Sequence, residues 1–335
     1  MATSGTVGQT TVSATDMVEH AFRRCGKLAT TISGELQQSA RMNLFFLLTD
    51  LANRGLSLFC VQKTVLNVVP DHVIYQLPIG TVDLLDALYR TQTALTGAVV
   101  SGAGFSGLQL STTDTCTNVA IQYTAAQSSV PLVVEYSVDG TTWVQAAQFY
   151  TNQTVAAGGW VCQDVDNTAE ADYWRVRDTT GTLPAFTTLT FSTDPYEVPM
   201  AKLNRDDYVN LPNKQYTVPD GTRSLQYWFN KQINPSISVW PASQGSANQI
   251  VVWTQSQIQD VGALTNEIAV PQRWYESIIL TLACRCALEL PPGELPPGRY
   301  EILEALAEKH LIQAEDSEND GSSMRLVANI RGYTA

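Results

Sequence analysis

The chain has no basic block. Its 20 Lys plus Arg are scattered and are outnumbered by 32 Asp plus Glu over 335 residues, giving a formal net charge of −12. Gripping a nucleic acid without regard to sequence takes clustered cations that displace counterions, so the composition argues against that role. DNA that only passes by is another matter, because an acidic wall repels its phosphates. No apolar run reaches the ~18 to 20 residues that a membrane span needs. The amino terminus, MATSGTVGQTTVSATD, lacks a basic cap and a greasy centre, so no secretory leader is expected. Six cysteines (Cys25, Cys60, Cys116, Cys162, Cys284 and Cys286) form no CxxC pair. Cys284 and Cys286 lie two apart in an expected helix and diverge there, so idle thiols of a reducing compartment are expected rather than metal ligands. His20, His72 and His310 show no HExxH spacing, and no GxSxG nucleophile elbow occurs.

What is present has a clear order. Met17, Val18, Ala21, Phe22 and Cys25 recur at helical spacing, with Asp16 or Thr15 as the cap and Gly26 as the stop. A second helix carries Leu36, Ala40, Leu44, Leu47, Leu48 and Leu51 on one stripe, which Phe45 and Phe46 widen until it is apolar almost all round. Such a helix is buried against other helices or a neighbouring subunit, and Gly55 ends it. QKTVLNVVPDHVIYQLP predicts a hairpin turning at Pro70-Asp71-His72, and VDLLDALYR a further strand.

Near Thr91 the composition turns to Thr, Ser, Gly, Ala and Val. Short alternating segments such as AIQYTA, PLVVEYSVDG, YWRVRDTTG and FTTLTFS then run to Asp194, with a tight turn at Asp139-Gly140. After Pro195 the chain reads as extended, with LQYWFN, ISVWPAS and IVVWTQS as strands. PQRWYESIILTLACRCALEL and RYEILEALAEKHLIQAEDS predict two final helices. The expected fold class is α+β: a helical bundle built from both chain ends plus a strand-rich region with β hairpins (1–92 and 195–335). An all-β, jelly-roll-like sandwich is inserted over 93–194.

Three motifs invite sharper readings. Gly102-Ala103-Gly104-Phe105-Ser106-Gly107 satisfies GxGxxG, yet strand chemistry follows it instead of a helix, so a flexible glycine connector is expected. Asp164, Asp166, Glu170 and Asp172 form either a solvated loop or one structural calcium site, without the EF-hand's glycine and closing glutamate. Trp143, Trp160 and Trp174 either pack in the sandwich core or present a sugar-stacking platform. The final GSSMRLVANIRGYTA either frays or docks in extended form on a partner.

The ordered set VVPDHVIYQLP, VDLLDALYR, RDDYVNLPNK, INPSISVWP and the PQRWYESIILTLACRCA helix resembles the head-to-tail adaptors of short-tailed double-stranded DNA phages. The resemblance covers residues 14–92 and 195–315. It implies a non-enzymatic virion protein, assembled in the host cytoplasm, whose copies form a ring, usually twelvefold, between portal and tail. The implied partners are further copies, the portal protein and tail-nozzle or tail-fibre proteins, with genomic DNA passing through unread. Subunit or portal contacts are then expected at Leu44, Phe45, Phe46, Leu48, Arg325, Leu326, Ile330 and Tyr333. No cofactor, metal or membrane is expected. Within the insertion, Ser137, Asp139, Gly140 and Trp143, then Tyr173, Trp174, Arg175 and Arg177, are similar to the galactose-binding-like (discoidin-type) jelly roll. That similarity implies an alternative, a carbohydrate-binding tail or surface protein, but the family's ligand loops vary so much that no binding residue carries over; Trp143, Trp160 and Trp174 are expected as glycan or fibre contacts from their aromatic chemistry alone.

Overall fold

The computed structural model describes residues 12–28, 31–54, 60–151, 155–214, 223–243, 248–258, 261–268, 270–291 and 293–318. The protein is α+β, and the described residues form five helices and fifteen strands. It divides into two compact units: residues up to Val61 with those from Gln255 onward, and Gln62–Thr254.

The first unit holds helices α1 (Ala14–Cys25), α2 (Gly34–Arg54), α4 (Gln272–Ala287) and α5 (Arg299–Asp316). Helix α1 starts earlier than expected. Ser13 is its N-cap, and only from there does Asp16 fall at the position that returns a hydrogen bond to the Ser13 N–H, completing a capping box. Gly26 stops it in a left-handed conformation with φ 96°. The stripe Met17, Val18, Ala21, Phe22 and Cys25 is buried with Leu44, Leu47 and Leu48 of α2, Trp274, Ile278 and Leu282 of α4, and Leu303 and Ala307 of α5 in one apolar core. Each large apolar side chain so enclosed contributes about 1.5–3 kcal/mol. Glu318, just past α5, accepts from Trp274 Nε1 (2.9 Å) and Arg273 Nε (2.8 Å), tying that end to α4.

The second unit is built from three sheets. One has six strands in the order β1 (Val61–Asn67), β15 (Gln249–Ser256), β3 (Thr81–Ala94), β11 (Phe186–Pro199), β6 (Asn118–Tyr123) and β9 (Trp160–Asp164). The second runs β4 (Gly97–Gly102), β5 (Phe105–Asp114), β10 (Ala171–Asp178), β7 (Leu132–Ser137), β8 (Val144–Gln148). The third runs β12 (Ala201–Lys202), β13 (Gln226–Asn230), β14 (Ser236–Trp240), β2 (Ile74–Gln76). Strands β6, β9 and the start of β11 share a core with the five-stranded sheet, through Val119, Ile121, Phe191, Val134, Trp174 and Val176. Strands β3 and β15 share another with the four-stranded sheet, through Leu84, Tyr89, Ile250, Tyr227 and Ile237.

The expected boundaries at 92 and 194 fall inside β3 and β11. Strand β11 pairs β6 over Phe186–Ser192 and β3 over Ser192–Pro199, with a bulge at Asp194, whose φ is 50°. Strand β11 therefore links β6, which lines one core, to β3, which lines the other.

Three local expectations need correction. The turn at Pro70-Asp71 forms, with Asp71 at φ 62°, but β1 and β2 do not make a hairpin. Strand β2 pairs β14 instead, which buries Tyr75 and Leu77 beside Ile237 and Val239. The glycine-rich stretch is no loose connector: Gly102 and Phe105 flank the two-residue turn of a β4–β5 hairpin. Gly107 lies there opposite Arg175, where an added Cβ would meet Trp174 backbone oxygen at 2.1 Å. The region after Pro195 contains a helix, α3 (Arg205–Asn210), because the Asn204 side chain caps the Asp207 N–H at 2.8 Å.

Candidate functional site

The three tryptophans of the sandwich have different fates. Trp174 is fully buried, packs 5.5 Å from Tyr136, and donates from Nε1 to the Asp114 carbonyl at 3.1 Å. No ligand reaches it, so it is a core side chain rather than a contact. Trp143 is part-exposed, but the Arg175 guanidinium lies over its ring at 3.7 Å, and Tyr173 meets its edge. Buried Glu135 holds Arg175 (2.7 Å) and Arg177 (2.8 and 2.7 Å), and burial, which pushes its carboxyl up, is outweighed by those bonds, which bring it below the ordinary range. One face of Trp143 is thus already occupied by a satisfied cluster. Trp160 differs: among the described residues its side chain has no ring, cation or hydrogen-bond partner.

Directly opposed residues share a sheet face, which fixes what surrounds Trp160. Its row is Trp160–Gln122–Thr188, the next is Cys162–Ala120–Thr190, and the third is Asp164–Asn118–Ser192. The intervening residues Val161, Ile121 and Leu189 point the other way, into or against the sandwich core. Gln122 donates to the Gly158 carbonyl at 3.0 Å, which leaves its Oε1 free. The hydroxyls of Thr188 and Thr190 likewise have no protein partner among the described residues. An aromatic ring, a floor of small side chains and several open hydrogen-bonding groups lie side by side.

Beyond them the same face becomes charged and closed. Arg90 of β3 donates to Asp164 Oδ1 (2.6 Å), Glu197 Oε1 (2.9 and 2.6 Å) and Gln249 Oε1 (3.1 Å). Asn118 donates to Asp164 (2.8 Å) and accepts from Gln249 (2.6 Å), and Lys63 of β1 pairs with Asp164. In a flat sheet β1 and β9 would lie about 24 Å apart, five spacings of about 4.8 Å. A Lys63–Asp164 ion pair therefore requires the sheet to curl, with this face on the concave side. Burial pushes the Asp164 carboxyl up, but hydrogen bonds from Arg90 and Lys63 and the charge of Arg90 outweigh it and bring it down to about 2. Burial, aided by the Asp164 carboxylate, pushes the Cys162 thiol up to about 12.

The other expected site residues fall elsewhere. Leu44 and Leu48 are fully buried within the core of their own unit, so neither is available to a neighbour. Phe45 packs partly against that core, and Phe46 is 51% exposed. Arg325, Leu326, Ile330 and Tyr333 lie outside the described residues. In the acidic loop, Asp164 is engaged by Arg90, Lys63 and Asn118. Arg90, Asn118 and Gln249 belong to no sequence motif. Their signal was a lone charge or amide inside an apolar strand.

No protein-family model matches the chain, and no curated protein does. Solved structures match part of it. One is CBM62 from Clostridium thermocellum Xyl5A, at 17% identity and TM-score 0.26, covering 31% of this chain and 98% of that one. Another is CpGH89CBM32-5 from Clostridium perfringens, in complex with GalNAc-β-1,3-galactose, at 10% identity and TM-score 0.21, covering 41% and 99%. A third is chitosan-binding module 1 from a Paenibacillus sp. IK-5 chitosanase/glucanase, at 16% identity and TM-score 0.20, covering 32% and 94%. These neighbours are carbohydrate-binding modules; at such scores they carry no argument about this chain. The resemblance to head-to-tail adaptors receives no support from these comparisons.

Proposed function

We propose that the protein is a non-enzymatic glycan-binding protein whose β-sandwich takes a sugar on the concave face beside Trp160. The observation that carries this reading is the free Trp160 ring next to the open polar groups of Gln122, Thr188 and Thr190. A sugar ring has an apolar face and a polar rim, and that patch offers a surface for each. Within the network, the Asp164 carboxyl at about 2 holds no proton to donate near neutral pH, and the Cys162 thiol at about 12 is no nucleophile. The test is a glycan array with the full chain. Trp160→Ala should weaken binding roughly tenfold, the worth of one stacked ring, while Trp143→Ala changes it little. Binding lost through Trp143 alone, or no binding at all, would end this reading.

A second reading, the ring between portal and tail, is favoured by a separate observation. The helical unit leaves Met42 (43%) and Phe46 (51%) of α2, and Ile302 (62%) and Ile312 (51%) of α5, open to solvent. On this reading those side chains meet neighbouring copies, the portal or tail proteins in the virion, with an acidic bore past which DNA slides. Electron microscopy of the full chain with and without a portal tests it. Monomers alone under both conditions, at micromolar concentration, would remove it.

A further inference from the structure

Two arginines share one carboxylate on the outer face of the five-stranded sheet. Opposed residues lie on the same side of a sheet, so the registers define that face. Tyr173, Arg175 and Arg177 of β10 point outward, opposite Gln109, Gly107 and Phe105 of β5. On the other flank they oppose Ser137, Glu135 and Val133 of β7. Strand β4 adds no polar side chain here, and β8 adds Gln145 and Gln148. Trp174, Val176 and Val134, which alternate with them, face the core. Arg175, Arg177 and Glu135 are therefore the only charged side chains at these paired positions. The face carries one positive charge in excess, on a chain whose net charge is −12.

The surplus falls on Arg177. Arg175 is 15% exposed; it lies over the Trp143 ring at 3.7 Å and the Phe105 ring at 4.9 Å, and its Nε donates to Glu135 Oε2. Arg177 is 38% exposed; its Nε and Nη2 donate to Glu135 Oε1, which leaves Nη1 without a partner among the described residues. The acids nearby are turned away or engaged. Asp178 points to the opposite side of the sheet, where it accepts from the Thr180 N–H at 2.6 Å. Asp139, in the turn after β7, is held by Ser137, Thr141 and Thr142. The row of Tyr173 and Ser137 stands about 13 Å from that of Arg177, beyond the screening length of about 8 Å in physiological salt. Gln145 and Gln148 are exposed, and their amides have no partner among the described residues. Gln109 uses only its Nε2, which donates to the Tyr173 hydroxyl at 2.8 Å, so its Oε1 is open as well.

We propose that this face binds a saccharide bearing a single acid group, a carboxylate or a sulfate ester, through Arg177. The oxyanion accepts from Arg177 Nη1, a charge-assisted bond whose donor is already oriented by Glu135. The sugar hydroxyls meet the open amides of Gln145 and Gln148 in the same and the adjoining row. Charge narrows the class further. The chain's other acids repel a polyanion, whereas one acid group is attracted at short range to the one surplus cation. A free anion is not retained, because a lone exposed ion pair gains little. Acid and hydroxyls must therefore belong to one molecule. The face lies on the five-stranded sheet and Trp160 on the six-stranded one, so either site can fail without the other.

The test is calorimetric titration of the full chain with glucuronic acid, N-acetylglucosamine 6-sulfate, their neutral parents glucose and N-acetylglucosamine, and sodium sulfate. At least one acidic sugar should bind roughly tenfold more tightly than its neutral parent and than sodium sulfate. Arg177→Gln, checked for folding by circular dichroism, should lose that tenfold preference, and Arg177→Lys should keep part of it. Gln145→Ala with Gln148→Ala alters only exposed side chains and should weaken binding roughly fivefold in a folded protein. Trp160→Ala should leave all of these titrations unchanged. Neutral parents that bind as well as the acidic sugars, sodium sulfate that binds as tightly, or an acid preference that survives both Arg177→Gln and the double glutamine variant would overturn the proposal.

Discussion

Replacing Asp164 by Asn keeps the shape of the side chain and removes one charge from the centre of the concave network. In the folded protein the carboxyl titrates at about 2, against an ordinary value of 3.8. A folded value below the unfolded one means the folded state favours the carboxylate. The stabilisation is fully present above the ordinary carboxylate range and is lost as pH falls through about 2. A difference of that size corresponds to about 2 kcal/mol near neutral pH. Breaking a buried pair costs about 3–5 kcal/mol when the remaining charge is left alone. Here Arg90, only 5% exposed, keeps Glu197, and Asp164 is itself 31% exposed, so the lower figure applies. Asp164→Asn should therefore lower stability at pH 7 by about 2–3 kcal/mol, or roughly 5–10 °C in Tm for a body of this size. Urea denaturation followed by circular dichroism, repeated at descending pH, reads both quantities. Wild type and variant should differ at pH 7 and converge as the pH drops below about 2. Equal stability at pH 7, or two curves that stay parallel through the acid range, would refute the reasoning.

Further outcomes follow from other sites. Trp174→Ala should destabilise by about 3–5 kcal/mol, because it empties a core position and orphans the Asp114 carbonyl; chemical denaturation measures it. Gly107→Ala should disturb the β5–β10 pairing, since an added Cβ would meet Trp174 backbone oxygen at 2.1 Å, and amide exchange of those strands should quicken. Ser13→Ala removes the capping box of α1 and should cost about 1 kcal/mol, seen as a lower urea midpoint.

Long periodic segments were legible because burial imposes their spacing. The stripe from Met17 to Cys25, the helix after Pro271 and the alternation in YWRVRD all follow from which side must face a core. The Asp139-Gly140 turn was legible for a local reason: the Asp139 carboxylate accepts from the Thr141 and Thr142 N–H groups at 2.8 Å. Partner choice between strands was not legible. Pro70-Asp71 makes its turn, yet only the distant strands β14 and β15 decide where β2 and β1 go. The candidate site suffered from the same blindness. Three tryptophans look alike in a list of residues, and what separates them is Arg175 over one, a closed core around another and an open sheet face beside the third. The concave network unites β1, β3, β6, β9, β11 and β15, whose positions no local pattern relates.

Strand β11 hydrogen-bonds to β6 along its first half and to β3 along its second. A pull applied to the sandwich lobe along this strand would load the β11–β3 ladder in shear, so that many bonds must yield together instead of opening one by one like a zip. The lobe is thereby suited to hold fast under tension, a mechanical property that comes from the ladder alone.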